Sequence, residues 1–218
     1  MMQYGAMADS TSAISSKADA SNFGTYSYNI TRGFKLYPKS IKTYPFLTPT
    51  ILFNYTLETT TYASGGTSSG LFQRVFILKA SEFLPAGIAT FYSQKTGACL
   101  GQSRLVDTAK NNEQKVTLGT DPDVKYTIKN TVITRQYSHP YSQDSDVEVI
   151  ISNQKDTQTI TLTLTINSGY MNTVINMKKK SSSITITQDP TNKSIIIIRG
   201  IIRPNSEESC SFDLKQSN

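Results

Sequence analysis

Seven residues constrain this chain most: Ile160-Thr161-Leu162-Thr163-Leu164-Thr165-Ile166. Apolar and hydroxyl side chains alternate without a break. A period of two places every apolar residue on one face of a strand, whereas a helix scatters them around its axis. The same alternation runs through Ile184-Thr185-Ile186-Thr187 and opposes Tyr26, Tyr28 and Ile30 to Ser27, Asn29 and Thr31. Ile51, Phe53, Tyr55 and Leu57 share one face of a further segment, and Val147-Glu148-Val149-Ile150-Ile151 adds another. No heptads occur. Ser and Thr supply about a quarter of the chain, charged residues only 17%, a strand-forming balance that suits secreted or structural β-proteins.

Turn chemistry divides these runs. Leu84-Pro85-Ala86-Gly87 reads as a turn opening a strand, because Pro fixes φ and Gly permits positive φ. Gly97 and Gly101 bracket Cys99 and Leu100, the mark of a hairpin tip or bulge. Asn111-Asn112 suits a left-handed turn. Asp121-Pro122-Asp123 reads as turn chemistry, not as paired acids or a calcium loop, which needs more oxygen ligands at set spacing. Gly65-Gly66-Thr67-Ser68-Ser69-Gly70 lacks the lysine of a phosphate loop and enters a strand, so a flexible hairpin loop is expected. Ser138-His139-Pro140 is the best boundary.

In its order of turns and strands, the run over 84–124 resembles the C-terminal β-domain, a domain of unknown function, of the mucoidy-inhibitor-A-like proteins. The resemblance covers roughly residues 25–218, without that family's N-terminal coiled-coil half, and it implies no catalytic residues. Together the observations predict an all-β chain with nearly no helix. It would hold two β-sandwich units of immunoglobulin or fibronectin type, over 25–138 and 139–218, preceded by an extended arm or linker over 1–24.

Charge and chemistry-bearing residues narrow the function. The formal net charge is +6, but the only basic cluster is Lys178-Lys179-Lys180, which reads as a loop before Ser181-Ser182-Ser183. Nucleic-acid binding wants a clustered footprint and is not expected. No apolar run approaches the ~20 residues of a membrane helix, and the opening residues carry no apolar core of the ~7–15 residues a secretory leader uses. His139 is the only histidine and reads as a surface or hinge residue; no Gly-x-Ser-x-Gly elbow accompanies it. Two cysteines and one histidine are too dispersed for zinc. Glu82, Glu113, Glu148, Glu207 and Glu208 are scattered, and nothing selects two of them as a glycosidase pair. No catalytic, cofactor or metal residues are therefore assigned. Cys99 and Cys210 fall in different expected units and are read as free thiols, with a disulfide the alternative. Asn29, Asn54 and Asn192 head N-x-[ST] glycosylation tripeptides. Tyr137 and Tyr141, beside the boundary, are the candidate interface.

The expected function is non-enzymatic: a secreted, surface or virion-associated structural subunit, extracellular or at the cell surface, that self-assembles through strand or arm exchange. The alternative is a carbohydrate- or protein-binding module of the cell envelope. The partners expected are further copies of the chain, or a protein or glycan.

Overall fold

The computed structural model describes residues 19–21, 25–27, 37–39, 41, 51–93, 96–139 and 141–217. Among the described residues there is no helix. The strands are β1 (Asp19–Ser21), β2 (Thr25–Ser27), β3 (Ile51–Tyr62), β4 (Gly66–Ala80), β5 (Gly87–Tyr92), β6 (Cys99–Leu105) and β7 (Glu113–Gln136). They continue with β8 (Ser142–Asn153), β9 (Ile160–Asn167), β10 (Asn172–Lys180), β11 (Ile184–Gln188), β12 (Ile195–Ile202) and β13 (Ser206–Ser217). The all-β expectation holds. Of the arm expected over 1–24, only 19–21 are described, as β1 paired antiparallel with β2.

The chain divides into two compact units. The first comprises Met1–Leu52, Leu78–Gly87 and Arg104–Gln114. Within it Leu84 and Thr108 exchange backbone hydrogen bonds at 2.9 Å. Asn111 takes a φ of 65°, the left-handed conformation its short amide tolerates, and its N–H donates to the Ala80 carbonyl.

The second unit comprises Phe53–Ile77, Ile88–Ser103 and Lys115–Asn218. Its framework is a nine-stranded sheet in the order β10-β13-β8-β7-β4-β3-β9-β12-β11. The sheet wraps until its two ends nearly meet: β10 and β11 are consecutive in the chain, and Gln188 Nε2 on β11 donates to the Thr173 carbonyl on β10 at 2.7 Å. No ladder joins these two strands. A β5–β6 hairpin forms a separate small sheet, turning where Gly97 takes a φ of 68°.

Alternation builds the core. Val147, Val149 and Ile151 on β8, Ile160, Leu162, Leu164 and Ile166 on β9, Ile196, Ile198 and Ile202 on β12, and Phe212 and Leu214 on β13 all point into the wrapped sheet. Each such side chain contributes roughly 1.5–3 kcal/mol by leaving water. Phe72 packs edge-on against Tyr126, ring centres 5.6 Å apart.

Four expectations need revising. The two sandwich units over 25–138 and 139–218 are not confirmed, since strands from both sides of residues 138–141 interleave in one sheet. β8 pairs with β7 across that boundary, and β9 lies parallel beside β3 with Leu57 opposite Leu162. Turn spacing sets where a strand stops, not which strand it joins. The loop expected over 65–70 is mostly strand, because β4 starts at Gly66. Asp121-Pro122-Asp123 lies inside β7, not in a turn. The β7–β8 ladder starts only at Val124, so the missing N–H of Pro122 breaks nothing on that side. Lys178-Lys179-Lys180 belongs to β10, not a loop.

Candidate functional site

At one end of the wrapped sheet the inward rows turn polar without losing their period. Gln143 and Ser145 stand in phase with Val147 and Val149 on β8, and Gln216 in phase with Leu214 on β13; all three are buried. Buried amides and hydroxyls need partners, and these find one another. Gln143 Nε2 donates to Ser145 Oγ at 3.0 Å and to Gln216 Oε1 at 3.2 Å. Gln216 Nε2 donates to the Ser168 carbonyl at 2.9 Å. Ser168 Oγ and Thr173 Oγ1 lie 2.7 Å apart. On β7, Asn130 donates through Nδ2 to the Ala63 carbonyl at 3.2 Å, while its buried Oδ1 has no partner among the described residues.

Over this network opens a cleft of about 410 Å³, lined by Arg135, Gln136, Tyr137, Tyr141, Gly169 and Tyr170. A strand end and two connections build it. The end of β7 carries Arg135 and Gln136, the short β7–β8 connection carries Tyr137 and Tyr141, and residues 168–171 lead from β9 to β10 with Gly169 at a φ of 77°. Tyr137 is 76% exposed and Tyr141 49%. The Arg135 guanidinium sits 5.6 Å from the centre of the Tyr137 ring, and the His139 ring meets Tyr141 edge-on at 6.1 Å. Arg135 Nε donates to Gln143 Oε1 at 2.8 Å, and Nη2 donates to the same oxygen. The cleft and the network beneath it therefore share a residue.

The structure thus brings Tyr137 and Tyr141 together and adds Arg135, Gln136 and Tyr170, which the sequence reading left out of the site. A signal existed: Gln143 and Gln216 occupy inward positions of otherwise apolar rows, where a polar side chain needs a reason.

The remaining candidates lie elsewhere. Asn29 is outside the described residues. Asn54 is exposed on β3. Asn192 is exposed in the β11–β12 turn, its Oδ1 accepting from Ser194 N at 3.1 Å and Ser194 Oγ at 2.6 Å. Cys99 is exposed and Cys210 buried, and both thiols are free. Burial pushes the Cys210 thiol up to about 12. His139 is exposed.

A second polar cluster, which the sequence reading missed, surrounds Asp121, only 2% exposed. Its Oδ2 accepts from Tyr55 Oη at 3.1 Å and from Lys155 Nζ at 2.8 Å, and its Oδ1 accepts from the Asp123 N–H at 3.1 Å. Burial, then the Asp121 charge, hold the Tyr55 phenol well above its ordinary value. Every oxygen of Asp121 is engaged by the chain itself, which marks a structural ion pair and not a binding site.

Among the described residues no three His, Cys, Asp or Glu side chains group to hold a metal ion, and no helix is long and apolar enough to cross a membrane. Compared with known proteins, the chain matches no family model and no curated protein.

Proposed function

We propose that this is a non-enzymatic binding protein whose tyrosine-lined cleft holds a sugar ring. The supporting observation is the convergence of Tyr137, Tyr141 and Tyr170 on one concavity of about 410 Å³. That volume lies in the roughly 300–1,000 Å³ range of small-ligand sites. Tyrosine offers an apolar face for the C–H face of a pyranose and a hydroxyl for its polar rim. The network under the cleft stiffens its floor, which lowers the ordering cost of binding. Isothermal titration of the full chain against a panel of oligosaccharides tests this. At least one should bind, and Tyr141→Ala should weaken that binding about tenfold or more with an unchanged melting temperature. Absence of binding across the panel overturns the reading.

A second reading, assembly of copies, is favoured by the outer edges of β10 and β11, which no strand covers among the described residues, because a free edge accepts a strand from a neighbour. Native mass with and without residues 1–24 tests it, and an unchanged monomer mass in both overturns it. An extracellular or cell-surface location and kinship with the mucoidy-inhibitor-A-like β-domain remain part of the proposal. The latter is supported by the succession over 84–124 of a bridge, the β5–β6 hairpin and the long β7. No nucleic-acid role is proposed, since Lys178 of the one basic cluster is committed to Asp213 at 2.7 Å and Asp146 at 3.2 Å.

A further inference from the structure

Resting on the glycan reading, we infer that the cleft selects an acidic sugar and that Arg135 is the receptor for its carboxylate.

Among the six residues that line the cleft, Arg135 alone is charged at neutral pH. The ion pairs of the described residues engage Lys115, Lys129, Lys155 and Lys178; among these residues Arg135 has no carboxylate partner. A guanidinium offers five N–H donors in a planar fork. In Arg135 one edge is fixed, with Nε and Nη2 both donating to Gln143 Oε1. Gln143 is itself held by Ser145 and Gln216. An arginine pinned on one edge keeps its plane, so the opposite edge, with Nη1 and the second hydrogen of Nη2, is presented in a set orientation. That edge matches the two oxygens of a carboxylate, two parallel N–H···O bonds at once. The Tyr137 ring beside the guanidinium supports the same orientation.

A neutral sugar would leave this positive charge without a counter-ion. A uronic acid supplies the counter-ion and presents its ring to the tyrosines at the same time. The lining contains no acid to oppose it.

The test compares trigalacturonic acid with its methyl ester, which keeps the rings and removes the charge, by isothermal titration of the full chain. The acid should bind about tenfold or more tighter than the ester. Arg135→Met should bind both at the level of the ester, its fold checked by an unchanged far-UV spectrum. Added salt should weaken the acid and leave the ester unmoved. Equal binding of acid and ester by the wild type overturns the acidic preference and leaves the glycan reading standing. If Arg135→Met keeps the preference, Arg135 is not the receptor. Tighter binding of a sulfated trisaccharide than of the uronate overturns the assignment to carboxylate. If none of these binds, nor any member of the neutral panel, the glycan reading fails and takes this inference with it.

Discussion

A Cβ placed on Gly70 would sit 2.6 Å from Tyr126 Oη and 2.8 Å from Cζ. The ring cannot retreat easily, because Phe72 abuts it. Gly70→Ala should therefore cost roughly 1–3 kcal/mol, as overpacking does, and lower the melting temperature by several degrees. Tyr126→Leu in the same chain should recover part of that loss. Thermal melts of both variants check this. The cysteines give a second expectation. Cys99 should react with a thiol reagent in the native protein, and Cys210 only after unfolding, as read by mass spectrometry. Cys210 also links stability to alkali. Its thiol titrates near 9.0 when free and near 12 in the fold, so the folded protein keeps the proton longer. The stability this confers is whole below about pH 9 and is lost as pH rises from there towards 12. Tyr55, also raised, acts in the same direction above its ordinary value of 10.0. Melting temperature should fall across this range, and Cys210→Ala should flatten the first part of the fall.

Strand existence was legible from alternation, since β9 and β11 are runs whose period of two marks a strand. Elements misread were those in which turn residues serve a strand. Gly70 is a glycine because a ring crosses it, and Pro122 is tolerated because the β7–β8 ladder starts after it. Neither reason is local, so neither shows in the residues themselves. Of the site, Tyr137 and Tyr141 were visible as aromatics beside the boundary expected at residues 138–140. Arg135 and Tyr170 were not, because only the connection over 168–171 brings Tyr170 to the end of β7. The Asp121 pair makes a prediction about β7 and β3 together. Asp121→Ala leaves Lys155, whose side chain is 17% exposed, without its nearer partner. Because Asp123 stays 3.5 Å from Lys155, the loss should fall below the roughly 3–5 kcal/mol of a buried charge left wholly uncompensated. The denaturation midpoint should shift accordingly, and Asp121→Asn should lose less, since an amide still accepts from Tyr55.

The strand order as a whole was not legible, because alternation marks a face and not a neighbour. Hydrogen exchange should report that order directly. Amides of β8, β9 and β13, paired on both sides, should exchange slowest. The outer amides of β10 and β11 should exchange fastest, since the Gln188–Thr173 contact uses a side-chain amide and a carbonyl and ties no backbone N–H; uniform protection would show a closed ladder between the two strands. The parallel pairing of β3 with β9 carries a consequence for synthesis. Thr56 and Thr161, hydrogen-bonded in the finished protein, are 105 residues apart in the chain. At ribosomal speeds that separation is roughly 5–20 s. Throughout that interval β3 has emerged and its partner does not yet exist. The nascent polypeptide passes through a stage in which a long, aromatic-rich strand waits with one side open, without the partner that closes it in the finished protein.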